Sequence, residues 1–464
     1  MSRKGRLFLV ALTVAEKLFL WSWRIPAGDS GSRLTRVRVR DEGWMKGFFG
    51  ILLVLFLLAG CTGSDSRSVV FAVGGAPTEL IFWENLIGDF ESESGISVEM
   101  VRRPTDSSQQ RQSLLIPLKA GLSDPDVFLM DVAWVGLFAA AGWLEPLGGK
   151  VEVSPFFPNV VNEVDTVGGQ LVALPVYMDG GLLFYRKDLL REAGIARPPG
   201  TWEDLVSSAV KVQRRQRIDN PNFFGFVWTG SQYEGLVTVF MEFAGSTGGF
   251  VRTSGKIRLA SPGNIQALTL MCDLIWREKI SPPSTYTTMK EEEVRRYFQA
   301  GDALYERNWP YAWALHQAEG SMVKGSTGVA PVPAPRGSRS VSTLGGFHIG
   351  VSRYSDVKAE ALAFVKFVTR YESQKRLVLN LGWNPGRQDL YEDPAVLAVA
   401  PHLRTLREVF QKARPRPVVP YYTQISEIVQ RHLNRALANE VSPEAALADA
   451  DREIAGLLAR YELN

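Results

Sequence analysis

The chain has 464 residues, 45% of them apolar and 22% charged, a composition that buries large cores and excludes a disordered or fibrous protein. Residues 1–60 hold 10 Lys/Arg and 4 Asp/Glu, which leaves 42 against 45 in residues 61–464. The basic balance therefore belongs to the leading segment, and the mildly acidic body gives no electrostatic ground for a nucleic-acid partner.

Lys46 opens an apolar run of 14 residues, Gly47 to Gly60, that ends at Cys61. A basic start, a short apolar run and small residues before the cysteine are the layout of an export signal over 45–60. The run is shorter than the roughly 20 residues a membrane-spanning helix needs; a membrane helix with an unprocessed Cys61 is the competing reading. Met45-Lys46 begins a complete signal, so translation is expected to start there, leaving residues 1–44 untranslated. Leu58-Ala59-Gly60-Cys61 resembles the lipobox of bacterial lipoproteins, which implies cleavage before Cys61 and a lipid anchor on its sulfur. Residues 61–68 then form a polar, lipidated tether. Cys272 is the second of two cysteines, so with Cys61 acylated no intramolecular disulfide forms. Its apolar helical surroundings, Leu270 to Trp276, predict an inert buried thiol.

Past the tether, Ser68–Val73 reads as a strand, followed by a helix at 79–93 with Leu80, Trp83, Leu86, Ile87 and Phe90 at helical spacing. Strand 97–102, helix 108–121 and strand 127–130 repeat the pattern. A similar series after Pro175 has a strand at 181–185, a helix capped by Thr201 and a Phe/Gly-rich segment at 223–228. Further amphipathic helices are expected at 261–278, 289–300, 356–371 and 442–458. The proline-rich stretch Gly328–Pro335 suits an edge strand or a connection. Alternating strands and helices predict doubly wound α/β lobes, with polar residues at strand ends where ligands bind.

Several chemistries lack their signatures. No glycine-rich dinucleotide or P-loop motif is present, the four histidines are scattered, and no G-x-S-x-G elbow occurs. No cofactor or metal is expected. The many carboxylates leave an extracellular glycoside hydrolase open as an alternative, and a chemoreceptor partner or scaffold lobe with an incidental cleft is a third reading. Aromatic segments point instead toward carbohydrate. Asn308-Trp309-Pro310-Tyr311-Ala312-Trp313 crowds flat rings beside a stiff proline, Thr343-Leu344-Gly345-Gly346-Phe347-His348 sets two glycines before an aromatic ring, and Tyr177-Met178-Asp179 joins a phenol to a carboxylate. Sugars offer weakly apolar faces to rings and hydroxyls to charged groups.

The ordered series Val73-Gly74-Gly75-Ala76-Pro77, Asp124 to Trp134, Gly142 to Leu147, Leu183 to Leu190, Arg307 to Tyr311, Gly345-Gly346-Phe347 and Ala413-Arg414-Pro415 resembles the family 1 extracellular solute-binding proteins of ABC importers. Within them it is most similar to the trehalose/maltose-binding branch. The resemblance runs over residues 70–430. It implies a two-lobed periplasmic-binding-protein-like fold with a hinge and an interlobe cleft. The lobes would comprise 69–176 with about 334–386, and about 177–333 with 387–464. It further implies a monomeric receptor, periplasmic or on the outer face of the cytoplasmic membrane. That receptor would bind a disaccharide or short oligosaccharide and pass it to ABC transporter permease subunits driven by a separate ATPase. By the same resemblance Glu79, Asp131 and Asp179 accept from sugar hydroxyls, and Arg111 and Arg414 donate. Trp309 and Tyr311 stack, and the backbone at Gly345 and Gly346 approaches the sugar. Phe347 stands where that branch commonly has Trp, so the sugar or its linkage is expected to differ.

Overall fold

The computed structural model describes residues 68–104, 107–253 and 256–462, all within one unit, Ser66–Asn464. The predicted export signal, Cys61 and the tether through Arg67 lie outside the described residues.

The chain starts with three parallel strands, β1 (Val69–Gly74), β2 (Val98–Arg103) and β3 (Val127–Asp131), linked by α1 (Pro77–Ser94) and α2 (Ser107–Lys119). Val127 to Met130 are all buried, which accounts for their unbroken apolar run: a strand covered on both faces has no polar side to alternate with. Helix α1 begins at Pro77, whose fixed φ suits a first turn, and stops at Gly95 with φ 69°. Its stripe Trp83, Leu86, Ile87 and Phe90 is buried, with Trp83 5.3 Å from Phe71.

Strand β4 (Leu174–Gly180) joins the same sheet, and after Gly181 alone the chain enters a second sheet as β5 (Leu182–Arg186). Thr201 caps α3 (Trp202–Gln216) by accepting the Asp204 N–H at 3.2 Å, as Thr-x-x-Asp predicts. There follow β6 (Phe224–Val227), α4 (Glu234–Ala244), α5 (Pro262–Trp276), α6 (Glu291–Gln299), β7 (Ala303–Asn308) and β8 (Thr327–Pro331). The second sheet has the order β8-β5-β7-β6, and the proline-rich β8 is its edge, where a missing N–H breaks no ladder. Strand β9 (Leu344–Val351) returns to the first sheet and inserts between β3 and β4, antiparallel to both, giving β2-β1-β3-β9-β4.

Two α/β lobes result. Helices α7 (Lys358–Thr369), α8 (Tyr371–Leu381) and α9 (Leu403–Lys412) pack on the first; α10 (Tyr422–Leu437) and α11 (Pro443–Glu462) pack on the second, with α4 and α5. Phe71 and Phe364 anchor one core at 5.1 Å, and Trp202 stacked on Phe243 at 3.9 Å anchors the other. The chain passes between the sheets at Gly181, through 332–343, and through 413–421. The first and last passages differ from the boundaries expected after 176 and 386. Strand β4 stays in the first sheet to Gly180 because Asp179 and Gly180 still pair with Gly345 and Leu344. Helix α9 packs on β4 and also reaches β8 of the second sheet, and Phe410 meets Phe157 and Tyr391, which keeps residues 403–412 with the first lobe's core.

Candidate functional site

A cavity of about 560 Å³ opens between the lobes, within the roughly 300–1,000 Å³ range of small-molecule sites. Its first-lobe wall follows from sheet register. Phe347 on β9 lies opposite Asp131 at the end of β3, and Gly345 lies opposite Asp179 on β4. Two carboxylates and a ring are thus set side by side by backbone hydrogen bonds, at the strand ends where doubly wound sheets bind ligands.

Asp131 accepts from the Ala133 N–H at 2.8 Å and from Arg416 Nη2 at 3.1 Å. The other arm of that buried guanidinium, Nη1, lies 3.0 Å from Glu234 in the first turn of α4. Arg416 therefore holds one carboxylate from each lobe, and both hold it charged against the cost of burial. Tyr422 and Ser426 hydroxyls also donate to Glu234. Asp179 keeps some surface open to the cleft, yet the mass packed round it dominates. Burial, assisted by the nearby Asp131 and Glu79 charges, outweighs a hydrogen bond from Asn384 and the Arg307 charge, and raises its carboxyl to about 7. A carboxyl poised there can accept from a hydroxyl or, protonated, donate to one.

The opposite wall carries Trp309 and Tyr311. Asn308 Oδ1 accepts the Trp309 N–H at 2.8 Å, which fixes the turn out of β7, and Pro310 stiffens the next step. The indole Nε1 donates to Glu291 at 3.3 Å, and the Tyr311 hydroxyl donates to Glu292 at 2.7 Å. Gly345 faces the indole edge-on: a Cβ there would lie 3.2 Å from Trp309 Cζ3 and 3.3 Å from Asp179 Cβ. Gly346, at φ 112°, would press a Cβ to 2.3 Å from the Tyr177 carbonyl, so only glycine fits. Phe347 stacks on Tyr177 at 5.4 Å and meets Trp134 edge-on at 6.0 Å.

Eight of the ten residues expected at the site line this cavity: Arg111, Asp131, Asp179, Trp309, Tyr311, Gly345, Gly346 and Phe347. Glu79 and Arg414 do not. Glu79 closes the N-terminus of α1 through the Ala76 N–H at 2.7 Å, beside Trp383, and burial raises its pKa. Arg414 is a correction: its side chain is exposed, while its backbone C=O accepts the Leu344 N–H and its N–H donates to Ser342, pinning the third passage to the second. Arg416, two residues on, occupies the cleft. In Arg414-Pro415-Arg416-Pro417 nothing in composition separates the two arginines. Sequence reasoning also missed Tyr233, Glu234, Lys290, Glu291 and the α10 face Thr423, Ser426, Glu427 and Gln430. The α10 set does carry a signal, polar residues at i, i+3, i+4 and i+7 on one helix face.

Comparison with known proteins decides the family. Residues 76–375 match the family described as "Bacterial extracellular solute-binding protein". The chain is a bacterial extracellular solute-binding protein. A Deinococcus radiodurans relative named "Probable ABC transporter-binding protein" is 34% identical over 424 residues, 90% of this chain and 100% of that one. The solved structure of maltose-bound T. maritima MalE3 superposes with a TM-score of 0.77 at 38% identity, covering 84% of this chain and 99% of that one. A Thermotoga lettingae solute-binding protein bound with α-D-tagatose has a TM-score of 0.71 at 26% identity, covering 84% and 98%. Family membership places this receptor outside the cytoplasm, and several of its relatives are named for a sugar or oligosaccharide that they bind. Among the described residues no helix is long and apolar enough to cross a membrane, and no His, Cys, Asp and Glu group could hold a metal ion.

Proposed function

We propose that this solute-binding protein captures a disaccharide of the maltose or trehalose kind, or a short oligosaccharide, in the interlobe cleft, and delivers it to the permease of an ABC importer. The observation that carries the reading is the mixed lining of the cleft: rings at Trp309, Tyr311 and Phe347 together with hydroxyl partners at Asp131, Asp179, Arg111 and Arg416. A pyranose has that double character, flat C–H faces and a rim of hydroxyls, and charged partners in a closed cleft make bonds worth roughly 1.5–3 kcal/mol each. Maltose in MalE3, at 38% identity over nearly its whole length, supports the same ligand class here. Asp131 is already engaged by Arg416 and a backbone N–H, an arrangement for holding a hydroxyl rather than for cycling a proton, and the reading involves no bond cleavage.

The receptor is a lipoprotein in this reading, tethered through an acylated Cys61 so that a soluble two-lobed body works near its permease. Titration calorimetry with maltose, trehalose and sucrose tests the ligand class. Heat with at least one of them and recovery of unchanged sugar are expected; no heat with these or a wider oligosaccharide panel removes the reading. Mass spectrometry of the mature N-terminus tests the anchor: a diacylglyceryl Cys61 is expected, and an unmodified peptide continuing upstream of Cys61 is not.

A further inference from the structure

Directly behind the stacking wall lies an ion pair, neither member of which lines the cavity. Arg307, the penultimate residue of β7, and Glu242 on α4 are each 1% exposed. They meet as a two-pronged fork, Nε to Oε2 at 2.6 Å and Nη2 to Oε1 at 2.5 Å. The same guanidinium sits 4.1 Å from the centroid of the Trp309 ring, within cation–π range.

The carboxylate end of the fork reaches the passages between the lobes. Glu242 Oε1 also accepts the Thr343 N–H at 3.2 Å, and Thr343 is the last residue before β9 re-enters the first sheet. Its neighbour Ser342 donates its hydroxyl to the Gly181 carbonyl at 2.8 Å, so the second passage is tied to the first. Gly181 itself packs against the pair so closely that a Cβ would lie 2.0 Å from Glu242 Oε1 and 2.4 Å from Arg307 Nη2. The third passage joins through Arg414, whose backbone brackets Ser342 and Leu344. One buried pair thus contacts the indole on one side and all three passages, directly or through one residue, on the other.

We infer that Arg307 and Glu242 are positioning residues that couple the pose of Trp309 to the geometry of the hinge, so that a ring stacked in the cleft biases lobe closure through this pair. A buried ion pair is weak grounds for stability, since two well-packed apolar groups commonly serve as well. What an apolar pair cannot supply is a rigid planar cation under the indole joined to an acceptor for the hinge amide. The coupling rests on the sugar-capture reading.

The test uses the full receptor and maltose, or whichever sugar calorimetry identifies. The double variant Glu242→Leu/Arg307→Met removes both charges at similar bulk, avoiding a lone buried charge. It is expected to fold, to bind at least about fivefold more weakly, and to show a smaller sugar-induced drop in radius of gyration by X-ray scattering. Gly181→Ala, which wedges a methyl group against the pair at a residue outside the cavity lining, is expected to move both readouts in the same direction. In the unmodified receptor, sugar should slow amide exchange in the peptide spanning Thr343 together with that spanning Trp309. Wild-type affinity and full closure in either folded variant, or an unchanged Thr343 peptide, overturn the coupling while leaving sugar capture intact. Failure of the unmodified receptor to bind any sugar overturns the reading beneath it, and shows before any variant is made.

Discussion

On the first lobe, Asp131, Asp179 and Phe347 stand on three neighbouring strands, and their spacing is fixed by the ladder that joins β3, β9 and β4. On the second lobe, Trp309 and Tyr311 stand beyond the end of β7 and are held by side chains: Asn308 on the backbone, Glu291 on the indole, Glu292 on the phenol and Arg307 beneath the ring. Backbone pairing in a sheet tolerates most side-chain changes, whereas a wall held by side chains depends on each prop. The first half of the cleft is therefore expected to set which hydroxyls are read, and the second to supply most of the stacking energy and to be the easier to disturb.

The largest expected effect follows from removing the ring itself. Trp309→Ala should weaken sugar binding by about 2 kcal/mol or more, roughly thirtyfold, as at interface hot spots. Calorimetry on the folded variant checks it, and near-normal affinity would refute stacking on this wall. The loss should exceed that of Phe347→Ala, since Phe347 is already committed to Tyr177 and Trp134.

Much of the first half is legible in the amino-acid sequence. Apolar strands ending in Asp131 and beside Asp179, with helices between them, imply strand-end carboxylates in a doubly wound sheet, and the Trp309-Pro310-Tyr311 cluster stands out by composition. The adjacency of Phe347 to Asp131 is not legible there, because it depends on β9 returning across some 200 residues of chain. Helices α8, α9 and α10 also escape the sequence reading, although α9 is strongly amphipathic, with Leu403, Leu406, Val409 and Phe410 buried. The exchange of Arg414 for Arg416 has the same origin: in an Arg-Pro-Arg-Pro segment only tertiary pairing decides which side chain turns inward.

An intermediate effect concerns charge on the first-lobe side. Asp179 is raised to about 7 chiefly by burial. In the empty receptor it holds a proton that the unfolded chain has lost between about pH 4 and 7, so it lowers stability as pH rises through that window. If its carboxylate accepts a sugar hydroxyl, the ligand favours the ionised form, and affinity should climb several-fold from pH 6 to 8 before levelling. Asp179→Asn should flatten that climb and remove its share of the stability slope. An undiminished slope in the variant would assign the pH dependence to another group.

The smallest expected effect separates ring from prop within the second half. The Tyr311 hydroxyl donates to Glu292, a carboxylate that also receives Arg295 at 2.8 Å, and this bond lies toward the surface. Tyr311→Phe keeps the stacking face and leaves Glu292 with its arginine, so no buried charge is stranded. Exposed and shared with Arg295, the bond is expected to offer about 0.5–1.5 kcal/mol, less than a buried charge-assisted bond, and to act on the ring's orientation. A two- to fivefold loss of affinity is expected by calorimetry, smaller than for Trp309→Ala. A loss as large as that of the tryptophan variant would mean that the hydroxyl contacts the sugar itself, and that the second half reads hydroxyls as the first does.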